Sequence, residues 1–207
     1  MTNLQAVTLY RIAKDRVQLC GFEAEVRWQS TRDLSQFSES DLLRQTAWVI
    51  LCSGFREATI RRCFSYISLC FLDWESSSTI CESAQLCRAT ALSRFNNEPK
   101  IDAILKAAAH VNSAGFASYK KEILSDPIGA LRCLPFIGKI TAHHLAKNLG
   151  ADISKPDRHL SRLSDFMGFR DPQELCSYIA KETGDPINVI DLVLWRFLEQ
   201  GHSPLPS

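Results

Sequence analysis

The chain has 207 residues, 45% hydrophobic and 23% charged, which excludes disordered and fibrous classes and allows one domain or two small lobes with a sufficient core. Lys and Arg number 24 against 23 Asp and Glu, so a net charge of +1 points to no polyanionic partner. No apolar run approaches the roughly 18 residues of a membrane span, and Arg11, Lys14, Asp15 and Arg16 follow a mixed start without a secretory apolar segment, so a cytoplasmic protein with no membrane attachment is expected. The apolar spacing is helical almost throughout. Leu42, Leu43, Thr46, Ala47, Val49 and Ile50 mark one amphipathic face, and Ile60, Phe64, Ile67 and Phe71 the next. The stretches 80–95, 100–112 and 116–124 follow with similar spacing. Asp126-Pro127, Asp171-Pro172 and Asp185-Pro186 each set an N-cap acceptor before a proline at the first helical position, and Glu174 completes a capping box with Asp171. Gly150 and Gly184 read as helix stops. Strand-like alternation and internal repeats are lacking, so the expectation is an all-α protein of about ten short helices.

Eight cysteines lie at 20, 52, 63, 70, 81, 87, 133 and 176, with no CxxC and no Cys–His cluster at metal-ligand spacing. Several fall within apolar helical patterns, Cys52 in WVILC and Cys70 in ISLCFL, where a thiol serves as a small buried hydrophobe. Charge is unevenly spread. Residues 1–99 hold 11 basic and 11 acidic side chains, residues 100–170 hold 11 and 6 (net +5), and residues 171–207 hold 2 and 6 (net −4). The basic middle is a candidate polyanion footprint, with chance clustering as the alternative.

One segment stands apart, residues 128–150: IGALRCLPFIGKITAHHLAKNLG. A short helix carrying Leu131 and Leu134 is expected to stop at Pro135, and a second to begin near Ile140 after a tight turn at Gly138, where a Cβ would hinder the backbone. The amides of Ile137, Gly138, Lys139, Ile140 and Thr141 then lie at the positive end of a helix, where donors lack intrahelical partners and can bind phosphate; Lys139 adds charge on that edge. Such a loop grips a nucleic-acid backbone without reading sequence. An ordinary αα-corner is the plain alternative. Further on, Lys155-Pro156-Asp157-Arg158-His159-Leu160 places Asp157 at the start of another helix, where it reads most simply as an N-cap. Its position 19 residues after Gly138, across the helix that anchors the phosphate, is what singles it out.

That pairing resembles the helix–hairpin–helix DNA glycosylases (the HhH-GPD superfamily), which include endonuclease III and the adenine and alkylpurine glycosylases; the resemblance covers approximately residues 40–200. Gly138…Ala142…His144…Asn148-Leu149-Gly150, then Asp157-Arg158-His159, and the late Asp191-Leu192-Val193-Leu194-Trp195, are most similar to archaeal-type 8-oxoguanine glycosylases. The resemblance implies a two-lobed helical fold with the active-site cleft between lobes: a central bundle of 38–150 with the hairpin at about 128–149, and a second lobe of 1–37 plus 151–207 with the catalytic Asp at its start.

Three departures refine this. Bifunctional members carry a nucleophilic lysine two residues after the hairpin glycine, where this chain has Ile140; Lys139 is one residue off, a rotation of ~100° on a helix. Iron–sulfur members end in four closely spaced cysteines, and only Cys176 follows Asp157 here. The tail His202-Ser203-Pro204-Leu205-Pro206-Ser207 differs from the ending associated with 8-oxoguanine recognition. The resemblance therefore implies a monofunctional, cluster-free enzyme that needs no cofactor. It would act as a monomer on double-stranded DNA, with at most a structural monovalent cation at hairpin carbonyls near Leu134 and Phe136. It would flip out a damaged or modified base and hydrolyse the N-glycosidic bond, in base excision repair or in antiviral defence against modified phage DNA. The alternatives are a glycosylase/lyase using Lys139 or Lys155, and a non-catalytic DNA-binding module.

Breaking that bond builds positive charge on the sugar, so a fixed carboxylate stabilises the transition state and can deprotonate water. Asp157 is the candidate. Trp48, Trp195 and Phe136 are candidate pocket walls, each also a core candidate. Gly54 lies where the family inserts a residue into the base-pair gap; Arg56, Arg61 and Arg62 follow it as gap or phosphate candidates, with a solvated face the equal alternative. His143, His144, His159 and Lys155 complete the candidates, though structural histidines are the commoner outcome.

Overall fold

A computed structural model describes residues 3–202; the tail Ser203–Ser207, whose sequence departs from the family ending, lies outside the described residues. Among the described residues the protein is all helical, with thirteen α-helices, one short 3-10 turn and no strand. They are α1 (Asn3–Leu19), α2 (Glu23–Ser30), α3 (Glu39–Cys52), α4 (Glu57–Cys70), α5 (Ser77–Glu82), α6 (Ala84–Arg94), α7 (Glu98–Ala114), α8 (Phe116–Ser125), α9 (Pro127–Leu131), α10 (Lys139–Asn148), α11 (Arg158–Met167), α12 (Pro172–Thr183) and α13 (Ile187–Glu199). The count exceeds ten because short breaks, such as Ser83 between α5 and α6, divide stretches whose apolar spacing runs on. None of these helices is long and apolar enough to cross a membrane.

The chain forms two compact units, one of residues up to Asp33 together with those from Gly150 onward, the other of Leu34–Leu149. In the continuous unit, α3 starts at a capping box: the Ser38 hydroxyl accepts from the Asp41 amide and the Asp41 carboxylate accepts from the Ser38 amide. Its face of Leu42, Leu43, Thr46, Ala47, Val49 and Ile50 is buried, as are Ile60, Phe64, Ile67 and Phe71 on α4 and beyond it. Leu72, Asp73 and Trp74 all take left-handed backbone, with φ of 56°, 48° and 65°. That costs of the order of 1 kcal/mol or more per residue, and the return is a fully buried Trp74, stacked 5.0 Å from Phe71 and donating from Nε1 to Ser68 Oγ at 2.9 Å.

In the discontinuous unit, α1 packs with α11, α12 and α13 around Tyr10, Leu160, Leu163, Cys176, Ile190, Val193 and Leu194. Arg196, 4% exposed, makes two bonds of 2.7 Å to the Glu25 carboxylate, so burial of the guanidinium is matched by a bidentate partner. Asp126 and Asp171 do cap α9 and α12 ahead of their prolines. Asp185 does not cap α13, which is entered through Pro186. Its carboxylate instead accepts from the Tyr10 hydroxyl at 2.7 Å and from Lys14 Nζ at 2.6 Å, a partnership across the whole chain length that local spacing cannot show. The capping box at Asp171 is half formed: Asp171 accepts from the Glu174 amide, whereas the Glu174 carboxylate accepts from Arg170. Gly184 closes α12 in the left-handed region at φ 77°, while α10 ends before Gly150, at Asn148. None of the eight cysteines is in a disulfide; Cys87 and Cys176 are buried, but Cys52 and Cys70 only half so, because the ends of α3 and α4 lie nearer the surface than their middles.

Asp171 supplies a first prediction. Its carboxyl is held below the usual carboxylate range, chiefly by the Glu174 amide, so its contribution is full above the unfolded value near 3.9 and disappears as pH falls through the lower folded value. Asp171→Ala should cost about 1 kcal/mol at neutral pH. In urea titrations the gap from wild type should close in acid.

Candidate active site

The hairpin lies wholly within the continuous unit. Asp126 Oδ1 takes the Gly129 amide at 2.9 Å and starts α9, and the Tyr119 hydroxyl donates to the Ala130 carbonyl at 2.9 Å, so α9 is held by α8. On the far side, α10 buries Ala142, Leu145 and Ala146, and Asn148 Nδ2 donates to Gln45 Oε1 of α3 at 3.0 Å. Between them the turn differs from the sequence expectation at its centre. Gly138 has φ −88° and ψ −173°, ordinary extended backbone, and an added Cβ would meet nothing nearer than Thr141 Oγ1 at 3.9 Å. The left-handed residue is Phe136, at φ 62°.

The donors are fewer than expected. Ile137 is buried and its amide donates to the Leu134 carbonyl at 3.2 Å; the Gly138 amide donates to Thr141 Oγ1 at 2.7 Å. No side chain caps α10, so the amides of Lys139, Ile140 and Thr141 stay open at a helix start that has no acidic residue in its first turn. Lys139 and Ile140 are exposed. Of the two carbonyls named for a monovalent cation, that of Leu134 accepts the Ile137 amide, while the Thr141 hydroxyl lies 3.5 Å from that of Phe136 and nearer, at 3.1 Å, to that of Gly138.

Asp157 belongs to the other unit and is the N-cap of α11: Oδ1 accepts from the His159 and Leu160 amides at 2.9 and 3.1 Å. That bland role consumes one oxygen. The second, Oδ2, lies 3.6 Å from Lys155 Nζ, with the side chains 12% and 20% exposed. The approach loop is fastened by contacts that leave no trace in local sequence. The Ser154 amide donates to Gln173 Oε1 at 2.8 Å, the Lys155 amide to Asp191 Oδ1 at 2.6 Å, and the Asn188 amide to Asp152 Oδ1 at 3.1 Å. Asp191 is 1% exposed, and the side-chain oxygen of Asn188, three residues before it, is buried without a partner. Lys155 Nζ also stands 5.8 Å from the centre of the Trp195 ring, so the late aromatic faces the ammonium that faces Asp157.

The remaining candidates scatter. Trp48 is half-buried, edge-on to Phe64 at 4.9 Å and covered by Arg61 at 5.5 Å, which fits a packing role on α4; Arg61 is itself paired with Glu57. Gly54 is exposed with φ 77° and open space around it, and Arg56 is exposed at the start of α4. Phe136 is 49% exposed. His143 Nδ1 lies 2.8 Å from the Lys139 carbonyl, which selects the Nδ1–H tautomer and ties the ring to its own helix. His144 and His159 are half-buried.

No protein-family model and no curated protein matches the sequence. Among solved structures, the chain is similar to the 8-oxoguanine glycosylase/lyase of Methanocaldococcus jannaschii, whose crystal structure holds a 15mer DNA containing 8-oxoguanine. The two share 17% identity with a TM-score of 0.58, over 96% of this chain and 100% of the other. At that identity the likeness is one of fold, and the all-helical architecture is common to both.

The division of labour at Asp157 predicts a specific stability pattern. Asp157→Asn keeps an Oδ1 acceptor for both amides and should leave the midpoint of chemical denaturation nearly unchanged. Asp157→Ala should cost about 0.5–2 kcal/mol.

Proposed function

We propose that the protein is a DNA glycosylase that removes a damaged or modified base by hydrolysis. The observation that carries this reading is the second oxygen of Asp157, left over from helix capping and set beside an ammonium in a loop pinned to α12 and α13. In this reading the base departs with the electron pair of its bond to C1′, and positive charge grows on the sugar. Oδ2 stabilises that charge and takes the proton of the water that adds at C1′, leaving an abasic site. Oδ1, fully engaged by amides, keeps the carboxylate from rotating away. The open amides of Lys139, Ile140 and Thr141 with the Lys139 charge would hold a phosphate of the duplex, a contact that positions without reading sequence. Ile140 places an apolar side chain where the lyase members of the resembling family carry their nucleophile, and Cys176 is buried in the core, which favours a cluster-free monofunctional enzyme.

The Lys155–Asp157 approach favours one second reading. A lysine amine beside the reacting carbon can attack C1′ itself, expel the base and form a Schiff base with the opened sugar. Lys139, at the exposed hairpin edge and with no such carboxylate neighbour among the described residues, has less support in that role.

The test is single-turnover base excision on a panel of single-lesion duplexes and hypermodified phage DNA, read as alkali-labile sites. Asp157→Asn should abolish excision while duplex affinity stays within about threefold of wild type, a difference of about 0.6 kcal/mol. No alkali-labile product from wild type on any substrate would sink the enzyme reading. Borohydride trapping of a covalent adduct that Lys155→Ala abolishes would replace hydrolysis by the lyase route. For the hairpin, Lys139→Ala should reduce the magnitude of the slope of log K against log salt by about 0.9, the value of one phosphate contact.

A further inference from the structure

Lys100, near the start of α7, is 5% exposed. Among the described residues no carboxylate pairs with it. Its ammonium donates to the Ile50 carbonyl, one of the last four of α3 and so at the negative end of that helix. Two aromatic rings share the same charge, Phe55 and Phe136, each with its centre 5.5 Å from Nζ. The Cys52 thiol is its remaining titratable neighbour, and burial holds the amine below the usual lysine range. A buried charge with one hydrogen bond and no counter-charge costs stability.

The two rings belong to surface turns. Phe55 is in the turn between α3 and α4, 41% exposed; Phe136 is in the hairpin, 49% exposed and at φ 62°. A phenylalanine there is strained where a glycine would not be. The protein thus carries two unfavourable features, a desolvated ammonium and a left-handed aromatic, and they meet each other. An apolar side chain at 100 and a glycine at 136 would both relieve the fold.

We propose that Lys100 is a positioning residue for DNA binding. Its ammonium, held by the Ile50 carbonyl and flanked by Phe55 and Phe136, ties the α3–α4 turn to the hairpin, so that both turns meet the DNA strand as one preformed surface. This rests on the DNA reading of the hairpin. Lys100 itself is too buried to meet a phosphate, which separates its effect from that of Lys139.

The test uses the full chain and a short duplex with one tetrahydrofuran abasic analogue, with Kd measured at several salt concentrations beside thermal melting. Lys100→Met and Phe136→Gly should each weaken binding about tenfold, with the Tm unchanged or raised and the salt slope unchanged. Lys139→Ala on the same duplex should lower the slope. Four results would overturn the proposal. Both variants could bind within about twofold of wild type. Affinity and Tm could fall together, which would make the cluster a scaffold. Lys100→Met could lower the salt slope by about 0.9, which would make Lys100 a phosphate contact. Or wild type itself could fail to bind any duplex, in which case the DNA reading falls and takes this one with it. Should Lys100→Met not fold, Phe136→Gly decides alone, because glycine suits that backbone.

Discussion

Every α-helix starts with backbone donors that its own hydrogen bonds cannot reach, and a chain whose described residues form thirteen helices meets that demand repeatedly. Ser38, Ser76, Asn97, Asp126, Asp157 and Asp171 answer it with side chains at the starts of α3, α5, α7, α9, α11 and α12. Both halves of the candidate chemistry grow out of this constraint. At α11 the cap is a carboxylate with one oxygen more than capping needs; at α10 there is no cap, and three amides at an exposed edge are left for an outside acceptor. One requirement of helical structure is over-satisfied at one place and unsatisfied at the other.

Asp157 cannot be understood from its own helix alone. Gln173 on α12 and Asp191 on α13 take amides of the loop that leads to it, and these bonds stop the loop from swinging while its side chains stay partly open to solvent. The ammonium of Lys155 sits against the free oxygen and against the face of Trp195. A carboxylate so placed is preorganised for positive charge other than that of Lys155 only if the ammonium can yield its place, and the 3.6 Å separation, longer than a tight ion pair, is compatible with that exchange.

Whatever depended on short-range periodicity was legible in the sequence. The faces of α3 and α4 are buried residue for residue, and two of three Asp-Pro pairs cap a helix. The third fails because Asp185 finds Tyr10 and Lys14 first, more than 170 residues away in sequence. The hairpin was legible as a turn between helices, but its strained residue is Phe136, since φ depends on how the turn closes and not on where the glycine stands. Gln173 and Asn188 carry no local signal, being ordinary polar residues on amphipathic helices until the loop docks on them, and Asp191 stood out only as part of the late Trp195 motif, with nothing to show that it takes the Lys155 amide. The basic middle segment is a count of charges and not of their placement: Lys100 and Lys147 are buried, so their ammoniums are not set to touch an outside phosphate.

The two units differ in how the chain closes them, and this sets an order of events at the ribosome. Leu34–Leu149 is continuous, so α3 to α10, hairpin included, can collapse while later residues are still being made. The other unit must wait. Its α1 has to wait for α12, for Asp185 in the connection that follows it, and for α13, whose Arg196 pairs with Glu25 of α2. At about 5–20 residues per second that interval lasts roughly 10 to 30 seconds, during which the apolar face of α1 lacks its native cover from α12 and α13. Asp157 gains its fixed setting only when Asp191 arrives, so the hairpin is complete well before the loop that carries this carboxylate is fastened.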